Sequence, residues 1–417
     1  MSINPFNEKA PKLDKCYEDW KKLYQKPYDK YAIDPYSKVR IILATGAEYE
    51  AVWFGHQFSR HCDNNDLRRE LAAVRRSEQQ QQKKLTSLKP KDENLLEVTI
   101  SYEQLAVDLT VNLALLDNDK YVKAALDFAL LEDFDHLYRF SDLLEMEQGI
   151  KGEMLVGGYT EIMPGRPTIA EHRYPFDDIR RHINMNSASL ATKLNTMIIT
   201  AAEQQTMNYY MNLGSFYTSD LGRKLFTEIA MIEEQHVSQY GSLIDTNCTW
   251  LECLLMHEYT ECYLYYSLMN DETDENVRKV FEQCFTQELS HLQKARRLLN
   301  KYENKDYEAV VGEGTFPELL AFDKYAERNK QYVRDILAKT IKNTAILEDY
   351  TKVSELPEDY EFFKYNSQVN KAPTYVASHN VINSYIGEFG EDYRFETSPH
   401  PVKELRDRKN DNTEIGR

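Results

Sequence analysis

The stretch IAMIEEQHVSQY, residues 229–240, decides how this chain is read. Ile229, Ile232 and Tyr240 recur at helical spacing, and Glu233 and His236 fall on the same side, because residues three and four apart stack on one helix face. A carboxylate and an imidazole are therefore steered into an apolar interior. A single such pair has an ordinary reading as a surface contact or a satisfied core histidine, since helix-surface pairs contribute only about 0.2–0.5 kcal/mol. A wider pattern is needed to give it meaning.

That pattern is present. Helical periodicity runs through the chain in long segments that end at polar turns such as LLDNDKY (115–121) and LMNDETDENV (268–277), and strand-like alternation is almost absent. The spacing predicts helices at about 38–61, 66–88, 95–116, 119–147, 186–213, 219–243, 248–269 and 273–302, and one more near 317–346. The first eight are two sets of four related by one shift of 155 positions. The shift carries Glu48, Glu78, Glu103, Asp133 and His136 onto Glu203, Glu233, Glu258, Glu288 and His291. The apolar background moves with them: IILATGAE (41–48) lies over TMIITAAE (196–203), and ALDFALLEDFDHLYRFSDLLE (125–145) over VFEQCFTQELSHLQKARRLLN (280–300). This is an internal duplication.

The fold expected is all-α, two tandem four-helix bundles. The divisions are an N-terminal arm at 1–37, a first bundle at 38–148, a Gly- and Pro-rich linker at 149–185, a second bundle at 186–302, and an irregular C-terminal extension with one helix at 303–417. Each bundle is expected to be contiguous, as an up-down arrangement with local loops requires.

Composition narrows the function. Of 417 residues, 42% are hydrophobic, enough for two or three cores. A net charge of −17 argues against nucleic acid or an anionic membrane surface as partner, since both need clustered Lys and Arg. No stretch reaches the ~20 apolar residues of a membrane span, and the amino terminus lacks the apolar centre of a signal peptide, so a soluble cytoplasmic protein is expected. The six cysteines form no C-x-x-C pair, which removes zinc ribbons and rubredoxin-type iron.

Within the second repeat the pattern is Glu203, then Glu233-x-x-His236, then Glu258, then Glu288-x-x-His291. Two helices each supply a carboxylate and two supply a Glu with a His one turn on, the ligand set of di-iron and di-manganese carboxylate bundles. Four carboxylates balance two divalent cations, and oxygen ligands with one imidazole per metal suit iron or manganese. The six candidate metal ligands are therefore Glu203, Glu233, His236, Glu258, Glu288 and His291. In the first repeat Gln81 stands where His236 does and Asp133 where Glu288 does, so Glu48, Glu78, Gln81, Glu103, Asp133 and His136 are expected to bind metal weakly or not at all.

On these residues the chain resembles a tandem member of the ferritin-like superfamily, strongly over 186–302 and by repeat over 38–147. The resemblance implies Glu203 and Glu258 as terminal ligands, Glu233 and Glu288 as bridging ones, and one imidazole on each metal. His257 and Glu261, beside Glu258, are expected to be solvated surface groups, with a role at the metal as the alternative. The first bundle would act as structural partner to the second, and a homo-oligomer is compatible with this.

The function expected is a di-metal oxidoreductase, with two iron ions, that activates O2 or peroxide and draws on an external electron donor. Tyr209, Tyr240, Tyr259 and Tyr263 are candidates to relay an electron. Two alternatives stand: manganese-dependent peroxide disproportionation on the same ligands, and a non-enzymatic scaffold that binds through the 303–417 extension. Storage in a shell is less expected of a fused pair. No phosphate loop, nucleophile elbow or H-E-x-x-H motif offers another catalytic class.

Overall fold

A computed structural model describes residues 3–162, 178–322, 325–338 and 359. Among them every regular element is helical. The principal helices are α1 Pro35–Arg60, α2 Asn65–Thr86, α3 Leu95–Leu116, α4 Lys120–Gln148, α5 Leu190–Leu213, α6 Asp220–Gly241, α7 Trp250–Asp271, α8 Glu275–Glu303 and α9 Ala326–Ala338. The helix expected near 317–346 shows as α9. Residues 317–322 are described and are not helical, a short helix stands at Glu308–Val311, and residues 339–417, apart from 359, fall outside the described residues.

The ends of these helices are written in the sequence, and the same shift relates them. Asn64 caps α2 and Ser219 caps α6, each side chain accepting from backbone N–H groups of the first turn. Asn94 with Glu97 and Thr249 with Glu252 form reciprocal capping boxes at the starts of α3 and α7. Asp119 and Asp274 cap α4 and α8. Both of those helices end on a residue in the left-handed region, Gly149 (φ 64°) and Asn304 (φ 54°), residue types that tolerate it.

The chain divides into two compact units, and the division cuts across the repeats. Unit 1 holds residues 1–93, 182–205 and 244–324; unit 2 holds 94–181, 206–243 and 325–417. In unit 1 the α1–α2 hairpin packs on the α7–α8 hairpin, α1 against α7 and α2 against α8. In unit 2 the α3–α4 hairpin packs with α6 against α4 and with α9, while α5 passes through the division and contributes its residues from Thr206 onward.

The compact units do not follow the contiguous stretches 38–148 and 186–302 expected for the bundles. The first repeat supplies α1 and α2 to unit 1 and α3 and α4 to unit 2; the second supplies α7 and α8 to unit 1 and α6 to unit 2, with α5 divided between them. The reason lies in the duplication itself: two repeats with equivalent apolar faces present equivalent packing surfaces, so periodicity identifies the buried face of a helix without identifying its partner.

The core of unit 2 runs from Leu96, Ile100 and Val107 on α3 through Phe128, Phe134 and Phe140 on α4 to Phe226 and Ile229 on α6. Complete burial of such side chains contributes about 1.5–3 kcal/mol apiece. The segment after α4 folds back on this unit: Gln104 donates to the Val156 carbonyl and Thr160 to Asp108. In unit 1 the N-terminal arm lies along α2 and α8. Gln80 and Glu18 exchange hydrogen bonds, Lys84 pairs with Glu18, and Gln287 and Gln293 donate to the carbonyls of Cys16 and Phe6. No helix among the described residues is long and apolar enough to cross a membrane.

Candidate metal centres

In unit 1, carboxylates from four helices converge in the interior. Glu48 on α1, Glu78 on α2, Glu258 and Glu261 on α7, and Glu288 with His291 on α8 are all buried. Ligand atoms of Glu78, Glu258, Glu288 and His291 lie within 4.8 Å of one another, and so do those of Glu48, Glu78 and Glu261. Glu78 is common to both groups. His291 turns Nδ1 toward three of the carboxylates, 2.9 Å from Glu78, 3.1 Å from Glu288 and 3.8 Å from Glu258.

The same arrangement recurs in unit 2. Glu103 on α3, Glu132, Asp133 and His136 on α4, and Glu233 and His236 on α6 are buried. His136 Nδ1 lies 2.8 Å from Glu233 and 3.9 Å from Glu103, while His236 Nδ1 lies 3.4 Å from Asp133 and 3.7 Å from Glu233. Glu233 thus sits between the two imidazoles, whose rings are 6.0 Å apart. Glu233 and Glu78 are repeat equivalents, and each is the carboxylate shared within its unit.

Glu132 adds a detail that bears on metal binding. Its carboxylate meets Nε2 of His236 in a short contact. An imidazole that donates from Nε2 keeps a lone pair on Nδ1, the atom facing Asp133 and Glu233, and ligating histidines are ordinarily fixed by such a partner.

The electrostatics of the two groups differ. In unit 1, burial is the main cause that pushes the Glu48, Glu258 and Glu261 carboxyls well above the usual range, and neighbouring carboxylates, Glu78 foremost, push them further. Glu288 is raised for the same reasons, with His291 opposing. His291 goes well above its ordinary value: burial lowers it, but Glu288 and Glu78 outweigh that. In unit 2, burial would raise Glu233, yet hydrogen bonds and charge from His136 and His236 hold it down to about 2.

Both sets fit divalent cations. Neither oxygen of Glu261 has a hydrogen-bond partner among the described residues, nor has Oε2 of Glu48 or of Glu258. Buried polar atoms are rarely left so, and buried charges are retained where they are paired or coordinate a metal. The donor set of oxygens with few imidazoles is that of iron and manganese.

The six residues expected to form one site fall in both units. Glu258, Glu288 and His291 lie in unit 1 with Glu48 and Glu78; Glu233 and His236 lie in unit 2 with Glu103, Asp133 and His136. Glu203 is buried on α5, on the unit 1 side of the division, in the repeat register of Glu48. The residues of the first repeat are divided between the units in the same way. Asp133 and His136 stand in the unit 2 group, and Gln81 stands in unit 1, where its amide donates to Glu288.

Two further expectations change. Glu261 is buried inside the unit 1 group, while His257 is half-buried and stacks on Phe54, with burial lowering its pKa to about 4. Among the tyrosines, Tyr259 and Tyr263 donate to the backbone carbonyls of Gly314 and Glu318, and Tyr209 to that of Leu95. Tyr240 packs beside His236. The phenols that reach carboxylates of the groups are Tyr265, donating to Glu48, and Tyr210, donating to Glu103. The seven-residue step from Glu258 to Tyr265, two helical turns on one face, was the available signal.

Comparison of the chain with protein-family models, with characterised proteins and with solved structures finds no match.

Proposed function

We propose that the chain is a non-haem di-metal carboxylate protein with a ferritin-like architecture, and that it acts as an oxidoreductase on O2 or peroxide with iron as its metal. The observation that carries this reading is the repeated one: in each unit, histidine Nδ1 atoms face carboxylates from neighbouring helices in a dry interior.

In unit 1 the metal would be held by Glu48, Glu78, Glu258, Glu288 and His291. In unit 2 it would be held by Glu103, Asp133, His136, Glu233 and His236. Iron held by these residues would, when reduced, supply the electrons for O2 or peroxide chemistry. The chain's own part is to exclude water, to hold Glu233 ionised against its burial through His136 and His236, and to orient His236 through Glu132. Tyr265 and Tyr210, each bonded to a carboxylate of its unit, offer a phenol through which an electron from an external donor can pass.

A second reading, manganese-dependent disproportionation of peroxide, is favoured by one feature. Unit 1 has a single imidazole among its carboxylates, a harder donor set than iron sites ordinarily use.

The test is anaerobic loading with Fe(II), then mixing with O2 or with hydrogen peroxide while oxidant consumption and iron oxidation are followed. Stoichiometric consumption that the His136→Ala and His236→Ala variants lose in proportion to bound iron supports the iron reading. Oxygen release from peroxide by the manganese-loaded protein supports the second. A loaded protein inert to both oxidants contradicts the proposal and leaves the scaffold role.

A further inference from the structure

The two groups in unit 1 are unlike, and the difference has a source. At Gln81 the ligand pattern lacks the imidazole that its repeat equivalent His236 provides, and Gln81 spends its amide N–H on Glu288. On the same face, one turn beyond Glu258, stands Glu261, which has no counterpart in the repeat because the equivalent position is Ala106. Glu261 is 2% exposed, both of its oxygens lack a hydrogen-bond partner among the described residues, and one of them lies within 4.8 Å of a ligand atom each of Glu48 and Glu78.

We propose that unit 1 holds two chemically distinct cation positions that share Glu78: one bearing His291 with Glu258 and Glu288, and one built only of oxygen from Glu48, Glu78 and Glu261. This rests on the metal-centre reading above. Glu261 replaces the absent imidazole with a negative charge, which makes the second position harder and more anionic than the first. Carboxylate-only sites suit Mn2+ and ions like it, whereas an imidazole favours Zn2+ and the later metals. The unit is then a mixed-metal centre in which position, and not metal supply alone, sorts the ions.

The assignment makes a stoichiometric demand. A residue shared by both positions removes two ions when neutralised, and a residue of one position removes one.

The experiment is equilibrium dialysis of the full chain and its variants against Mn2+ alone, and against Mn2+ in large excess over Zn2+, followed by metal analysis. Ions held in unit 2 are a constant background. Glu261→Gln should lose one Mn2+ per chain and keep its Zn2+. His291→Ala should lose the Zn2+ and keep that Mn2+, and Glu78→Gln should lose both. The double variant Gln81→His with Glu261→Gln should regain a second ion and take it as Zn2+. Glu261→Gln preserves side-chain shape and removes a buried charge, and far-UV circular dichroism checks that each variant keeps its helices. If Glu78→Gln lowers the metal content while Glu261→Gln leaves both content and Mn to Zn ratio unchanged, Glu261 is a buried acid outside the centre and this inference falls alone. If Glu78→Gln changes nothing, unit 1 binds no metal, and the proposed function loses that centre as well.

Discussion

His291 Nδ1 lies 2.9 Å from Oε1 of Glu78, and the two residues come from different repeats of the duplicated chain. An imidazole from the second repeat is completed by a carboxylate from the first. The contact is one of several that tie α2 to α8 in the interior of unit 1, Gln81 to Glu288 among them.

Assembly across repeats predicts the behaviour of fragments. A fragment of residues 186–302 contains α5 to α8, which belong to two different units, and it should neither fold cooperatively nor bind metal stoichiometrically. Residues 1–162 and 178–417, expressed together, should associate and recover both, as gel filtration and circular dichroism would show. A stable, metal-binding 186–302 fragment would contradict the architecture.

Removing Glu132 should loosen His236 without touching a ligand. A partner that fixes a ligating histidine is typically worth 10- to 100-fold in metal affinity. Glu132→Ala should weaken unit 2 by about that factor in a competition titration with a fluorescent chelator. Ions that depend on His291 should be unaffected.

The metal-free protein should grow more stable as pH falls from 7.5 to 5.5. Glu48, Glu258, Glu261 and Glu288 have folded-state values above their unfolded ones, so they destabilise at neutral pH, and protonation in the folded state relieves this as pH drops toward the ordinary carboxylate range. His291, also raised, contributes stability that is fully present below its unfolded value and lost as pH rises through the folded one. Glu233 acts oppositely: its stabilisation is complete above the ordinary value of 4.5 and lost only as pH approaches about 2, outside this window. Metal at 100 to 1,000 times its dissociation constant adds roughly 3–4 kcal/mol, and that gain should shrink on acidification because protons compete for the same oxygens. Melting curves with and without chelator at the two pH values decide this. Identical midpoints throughout would count against metal binding.

Tyr265→Phe removes the phenol that Glu48 accepts from, and an unsatisfied buried carboxylate oxygen costs about 1–3 kcal/mol. The metal-free variant should unfold at lower denaturant by that amount. With metal bound the penalty should narrow, since a cation can satisfy the orphaned oxygen. An equal loss in both states would assign Tyr265 to packing alone.

Much of the fold was legible because local rules were obeyed locally. The capping boxes at Asn94 and Thr249, the Asp119 and Asp274 caps, and the left-handed stops at Gly149 and Asn304 bound helices whose apolar faces were already visible. Ligand types were legible for the same reason: Glu and His three apart share a face whatever that face packs against. What lay out of reach was partnership. Glu233 and His236 are as well placed to meet Glu258 and Glu288 as to meet Glu103 and Asp133, because both pairs of repeat-equivalent positions carry carboxylates. Glu132 and Glu261 were obscured differently. They have no counterpart under the shift, since their equivalents are Gln287 and Ala106, and a search guided by the repeat passes over them.

The central claim, that each unit carries a metal centre drawn from both repeats, is tested most directly by metal analysis of the full chain beside Glu78→Gln and Glu233→Gln, after anaerobic loading with Fe(II). The account predicts a dinuclear complement in each unit, with Glu78→Gln losing the unit 1 ions only and Glu233→Gln the unit 2 ions only. Metal content unchanged in both variants, or lost entirely in either one, would contradict it.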